Sequence, residues 1–181
     1  MARCDDIKTA YRESIKIARA GDGWLRPLIL YRTSLSSITI SRCVRLVSGS
    51  RLSICHFLAQ LCKGSKGFSS LTEQGIDPNH NAYEGNKQLG KTKRGDGYIS
   101  RGRGFIPITG RYNYDKTGED LYKDLIHHPE ILASDIILAL DSAGLFWTQH
   151  GLNRLADKDD IVAMTHRING GEHRLPDRRL F

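Results

Sequence analysis

Ala82 to Tyr114, AYEGNKQLGKTKRGDGYISRGRGFIPITGRYNY, is the stretch whose reading decides the fold. It sets one carboxylate, Glu84, beside Tyr83. A glycine-rich basic loop follows, then a short apolar segment and a cluster of polar and tyrosine side chains. Seven glycines in 33 residues argue against a long helix, because each adds backbone freedom that folding must remove. The stretch reads as a shaped surface with a few polar groups aimed outward, which is what a groove for a polymer needs.

Outward from it, 181 residues suffice for one domain or two closely packed lobes with a real core. Hydrophobic content of 39% with 26% charged residues is that of a soluble globular protein. The net charge of +7 fits either a solvated basic surface or an anionic partner such as nucleic acid or a bacterial wall. Cys4, Cys43, Cys55 and Cys62 show no zinc spacing. Cys55 and Cys62 stand seven apart in a helical pattern, about 10 Å of rise, too far for a disulfide. Free thiols are expected. The opening MARCDDIKTAYRESIK is charged throughout, unlike a secretory leader. The longest apolar run, Ile136 to Trp147, is interrupted by Asp141 and too short to span a bilayer. Cytoplasmic synthesis with no membrane span is the expectation.

Asp6 to Ala20 carries helical spacing that Gly21-Asp22-Gly23 stops. Trp24 to Ser50 fits short strands or a poorly ordered segment. Leu52 to Lys63 puts apolar residues at 52, 55, 58, 59 and 62 on one helical face, ended by Gly64-Ser65-Lys66-Gly67. Gly118 to His128 and Pro129 to His150 read as two helices, the second closed by Gly151. Asp157 to Asn169 is a third, acidic in its first turn and stopped by Gly170-Gly171.

Gly85 to Thr92, GNKQLGKT, satisfies a P-loop pattern, and Ile136 to Asp141, IILALD, a Walker B pattern. A phosphate cradle needs a hydrophobic strand before the loop and a helix from the lysine. NHNAYE and KRGDGYISRGRG supply neither, so chance is the better explanation. Arg94-Gly95-Asp96 is read as an accidental adhesion-like tripeptide. The basic loop could grip phosphates, but only Tyr98 and Phe105 are available for base stacking. His127-His128 reads as a helix end and His56 as a packed residue; no metal set appears.

YEG-x-K-x-LG, GDG and RGRG-x-I-x-x-TGR-x-NY, as they stand between Tyr83 and Tyr114, resemble the centre of glycoside hydrolase family 19, the chitinases and their lysozyme-like relatives. The likeness runs from about Leu52 to Arg178. It implies a mainly α, α+β lysozyme-like fold, two helical lobes around an elongated substrate cleft. Residues 52–181 would be the catalytic domain, shortened at its C-terminus, and 1–51 a divergent N-terminal region. The implied activity is inverting hydrolysis of β-1,4-linked N-acetylhexosamine polymers, chitin or peptidoglycan. Such a reaction uses one carboxylic acid on the leaving oxygen and one carboxylate on the attacking water.

In relatives, the helix matching Phe57-Leu58-Ala59-Gln60-Leu61-Cys62 runs into H-E-S-x-G-F, whose glutamate is the general acid. Here Lys63-Gly64-Ser65-Lys66-Gly67-Phe68 stands instead, and Gly64 holds the acid's place. By the same resemblance Glu84 is the general base, Thr109 helps hold the attacking water, Asn113 and Asn169 contact sugar, and Arg178 fixes the active-site network. Pro107 replaces a glutamine and Lys91 an asparagine of the family pattern. Glu73, nine residues past Gly64, is not expected to rescue the acid role, since relatives carry acidic residues there in addition to the acid. The resemblance implies a polysaccharide partner, no metal or organic cofactor, no nucleic acid, a monomer, and impaired catalysis in this copy. If released from the cell, as a phage lysin is, the protein would act on the wall. Two other readings stay open: a glycan-binding pseudoenzyme and a nucleotide binder using GNKQLGKT.

Overall fold

The computed structural model describes Arg42 and residues 45–47, 49–74 and 95–171. It is mainly helical, and among the described residues no strand forms, only two isolated antiparallel bridges. The chain divides into two compact units, residues 1–69 with 144–181 and residues 70–143.

In the first unit, α1 spans Arg51–Gly64. Ser50 caps it by accepting from Ser53 N at 3.1 Å, which satisfies one of the amides that a helix start leaves open. Ile54, Phe57, Leu58 and Leu61 form its buried face, the i, i+3, i+4, i+7 spacing of an amphipathic helix. Phe57 meets Trp147 edge to face, with centroids 5.1 Å apart. Trp147 is fully buried, and its indole N–H donates to Asn153 Oδ1 at 2.7 Å. Asn153 in turn donates to the carbonyl of Val47 at 2.6 Å. At Gly144 a Cβ would fall 2.8 Å from Leu46 Cβ, so only glycine lets these segments close.

The turn after α1 is built around buried Ser65. Its hydroxyl donates to Leu61 O at 2.7 Å and accepts from Phe68 N at 3.0 Å. Gly67, at φ +70, turns its N–H back to Cys62 O at 2.7 Å. Cys55 and Cys62 are free thiols, as the helical spacing requires; Cys4 and Cys43 lie outside the described residues. Burial raises the Cys62 thiol to about 11, leaving almost no nucleophilic thiolate at neutral pH. Cys62 is therefore expected to stay unmodified by a disulfide-exchange reagent at pH 7.5 in native buffer, and to react once guanidinium is added. Rapid native labelling, located by peptide mass, would contradict this.

In the second unit, Arg103 bridges to both Thr72 and Ile108, and α2 covers Asp96–Ile99. Helix α3, Arg111–Leu121, starts seven residues before the expected Gly118 and ends earlier. The reason lies at Gly118 itself. Lys123 N donates to Gly118 O at 2.9 Å, Tyr122 takes the left-handed conformation at φ +54, and a Cβ on Gly118 would sit 2.5 Å from Lys123 O. The glycine permits the reversal that stops the helix. His127 and His128 consequently stand in a turn, not at a helix end, with His127 Nδ1 2.8 Å from Asp124.

The expected single helix over Pro129–His150 is two, α4 (Ile131–Ser134) and α5 (Ile136–Gln149). Asp135 separates them in an extended conformation and caps α5, accepting from Ile137 N and Leu138 N at 2.9 and 3.0 Å. IILALD thus lies in a helix, where no Walker B strand can form; GNKQLGKT lies outside the described residues. Asp96 of Arg94-Gly95-Asp96 is 3% exposed, too buried for an adhesion motif.

Gly151, at φ +61, closes α5 as expected. It leads into a short helix that periodicity did not reveal, α6 (Leu152–Ala156). Helix α7, Ile161–Asn169, is capped by Asp160 accepting from Ala163 N at 2.9 Å and stopped by left-handed Gly170. No described helix is long and apolar enough to cross a membrane.

Candidate functional site

The chemistry-bearing residues of the second unit gather where residues 72–73 run beside residues 102–104. Glu73 N donates to Gly102 O at 2.8 Å, and Gly104 N donates to Leu71 O at 2.9 Å. The Glu73 side chain returns to the same place, where Oε2 accepts from Gly102 N at 3.1 Å. Backbone and carboxylate are thus pinned to one residue.

Gly102 is small for a reason. A Cβ there would lie 3.0 Å from Glu73 Oε2, 3.1 Å from Thr109 Oγ1 and 3.2 Å from Pro107 Cβ. One small group would therefore touch a carboxylate oxygen and a hydroxyl at once. Thr109 Oγ1 makes no hydrogen bond among the described residues, so its hydroxyl can serve a water. Gly102→Ala is expected to displace the carboxylate, costing about 1–2 kcal/mol in chemical denaturation and more in any activity that uses Glu73. Unchanged stability would contradict that crowding.

Buried Arg103 holds the loop's shape. Its Nη1 donates to Ile99 O at 2.7 Å and to the Tyr114 hydroxyl at 2.8 Å, and that hydroxyl donates to Arg101 O at 2.7 Å. Burial pushes the Tyr114 phenol up, outweighing the Arg103 hydrogen bond, so it stays a donor. At the start of α3, Asn113 Nδ2 donates to Thr109 O at 2.7 Å, which leaves its carbonyl oxygen available as an acceptor. Beside it Tyr112 is 60% exposed and offers a flat ring face.

The structure thus brings Thr109 and Asn113 together and adds Glu73 and Tyr112 to them. Asn169 is the last residue of α7 in the first unit, and Gly64 the last of α1. Glu84, Arg178 and Lys91 lie outside the described residues. Among the described residues no three His, Cys, Asp or Glu side chains converge as metal ligands.

This arrangement coincides with a family match. The profile described as chitinase class I, glycoside hydrolase family 19, matches residues 56–169, more than half of the chain. The chain belongs to glycoside hydrolase family 19.

A glycosyl hydrolase family 19 domain-containing protein of Haemophilus influenzae is 36% identical over 89 residues, 49% of this chain and 42% of that protein. An acidic endochitinase of Petunia hybrida is 38% identical over 68 residues, 38% of this chain and 26% of the enzyme. The matches thus span less than half the length of these curated relatives. In fold, the chain resembles the family 19, class IV chitinase of Zea mays. The TM-score is 0.51 at 18% identity, covering 98% of this chain and 74% of that one. The mainly helical architecture read from the sequence is therefore the family's.

Sequence reading gave no sign that Glu73 packs against Gly102, because the residue stands in a loop with no periodicity of its own. The signal available was Gly102, in the chain Arg101-Gly102-Arg103-Gly104. A glycine among large residues in an extended segment often marks the close approach of another chain.

Proposed function

We propose that this family 19 chain is a glycosidase of β-1,4-linked N-acetylhexosamine polymers, chitin or peptidoglycan, working by inversion, with its turnover suppressed at Gly64. The observation that carries the reading is the Glu73–Thr109 pair around Gly102. A carboxylate beside an unoccupied hydroxyl is what an inverting enzyme needs to orient and deprotonate a water. Asn113, exposed beside Tyr112, supplies an acceptor and a ring face for sugar. Asn169 and Arg178 keep the sugar-contacting and network roles their motifs suggest.

Two carboxylates are candidates for activating the water. Motif spacing favours Glu84, and the geometry at Gly102 supports Glu73. The general acid has no candidate at the family position, because Gly64 has no side chain. That absence favours a second reading, a glycan-binding pseudoenzyme in which the sugar contacts remain and cleavage does not. Release of reducing ends from peptidoglycan and chitin oligomers, by the chain as it stands and by Gly64→Glu, separates the two.

A further inference from the structure

Outside the candidate site, the geometry points to an anion-binding pocket in the first unit, built to hold a phosphate or carboxylate group of a cell-wall polymer. The pocket has a volume of about 220 Å³ and is lined by His150, Gly151, Arg154, Leu155, Lys158 and Arg167. Two guanidinium groups, one ammonium and one imidazole line it, and among the described residues no carboxylate does.

That imbalance is arranged by the fold. The segment from Gly151 to Arg167 holds three acidic residues, and each is engaged elsewhere. Asp157 accepts from Ser50 and Ser53, and these bonds, Ser50 first, hold its carboxyl below the usual carboxylate range. Asp159 pairs with His56 at 2.8 Å. Asp160 caps α7 through Ala163 N. Among the described residues Arg154, Lys158 and Arg167 have no carboxylate partner, so their charge is available to a ligand.

The local backbone sharpens the pocket. Gly151 is left-handed at φ +61, and a Cβ there would lie 3.0 Å from Arg154 Nη2. The guanidinium folds back against the bare Cα, a position a larger residue would deny it. His150 Nδ1 is 2.8 Å from Phe146 O. A carbonyl only accepts, so Nδ1 carries the hydrogen, and Nε2 is the nitrogen left for the pocket.

The size suits an oxyanion with part of its carrier, being below the range of pockets that enclose a drug-sized ligand. Guanidinium and ammonium donors are the groups that recognise phosphate and carboxylate. A nucleic-acid surface would also present aromatic faces for stacking. Here the one ring, His150, already stacks on Phe146 with centroids 3.8 Å apart. Arg167 and Asn169 are two residues apart on α7, about 200° around the helix, so the pocket and the proposed sugar contact use different faces. Choosing a wall polymer as carrier rests on the glycosidase reading.

The test compares the full chain, the triple variant Arg154→Gln/Lys158→Gln/Arg167→Gln, and a control with equal charge loss, Arg45→Gln/Lys116→Gln/Lys123→Gln. Each is titrated with poly(glycerol phosphate), a muropeptide with free carboxylates, chitotetraose and oligo-dT. The expected result is about tenfold weaker binding of a wall anion by the pocket variant, the sum of three exposed charge contacts, with the control close to the parent. A loss confined to one wall probe identifies phosphate or carboxylate as the group held.

Equal losses in both triple variants would overturn the pocket, leaving only generic charge attraction. So would oligo-dT binding more tightly than either wall probe. If the pocket variant does not fold, Lys158→Gln alone, at an exposed position, is expected to weaken binding measurably and Lys123→Gln is not. The glycosidase reading is tested separately: a Gly64→Glu chain that releases no reducing ends from either chitin or peptidoglycan oligomers, while the parent still binds the wall anion, would sink that reading and leave the pocket standing.

Discussion

Gly64→Glu is expected to raise the release of reducing ends from chitin or peptidoglycan oligomers by about 10²–10⁴-fold, the usual contribution of a positioned general acid. The backbone at Gly64 suits the substitution. Gly64 is the last residue of α1, and it is not among the glycines with positive φ, so a side chain is accommodated without left-handed strain. Replacing a helical glycine also removes backbone freedom from the unfolded chain, a gain of about 0.5–1 kcal/mol. The helix end helps chemically. Its unpaired carbonyls carry partial negative charge, which disfavours a carboxylate there and favours the protonated acid. Lys63 and Lys66, on either side, work in the opposite direction. The rise should appear with unchanged circular dichroism and an equal or higher melting temperature. A folded Gly64→Glu that remains silent would remove suppression at Gly64 as the explanation and leave the pseudoenzyme reading. Turnover by the chain as it stands would mean that another residue supplies the proton.

Much of the architecture was legible because it depends on local patterns. Leu52–Lys63 read correctly as a helix, although its buried face is centred on Ile54, Phe57, Leu58 and Leu61 and leaves Leu52 exposed; Gly151 and Gly170 read correctly because a left-handed glycine leaves a direct mark in sequence. Gly118 misled because a glycine in mid-pattern looks like a helix start. Its use, making room for Lys123 O, depends on a chain reversal five residues later. Asp135 was likewise hidden within an apolar run, although an aspartate before Ile136-Ile137-Leu138 is a capping signal. Motif spacing marked Thr109 and Asn113, and the structure joins these two by a hydrogen bond from Asn113 Nδ2 to Thr109 O. The relation of Glu73 to Gly102 crosses 29 residues, and no periodicity reports a contact of that kind. The family resemblance thus proposes one carboxylate, Glu84, by motif, while packing around a single glycine brings forward another, Glu73.

In the Gly64→Glu background, Glu73→Gln is expected to return activity to near the parent level, a loss of about 10²–10⁴. Glutamine keeps the length and shape of the side chain, and its amide oxygen can still accept from Gly102 N. Stability should therefore change by no more than about 0.5 kcal/mol, which separates lost chemistry from lost structure. An amide cannot take the proton from the attacking water. Azide needs no deprotonation to attack, so it should restore turnover in Glu73→Gln and yield an azide of inverted configuration. It should not rescue the parent, whose missing group is an acid. Thr109→Val removes only the hydroxyl and is expected to cost about tenfold, the value of one hydrogen bond to the water; Thr109→Ser should recover most of it. Glu84→Gln in the same background provides the comparison. If Glu84→Gln abolishes turnover and is rescued by azide while Glu73→Gln stays active, the base is Glu84, and the Glu73–Gly102 contact serves only to join two segments of the chain.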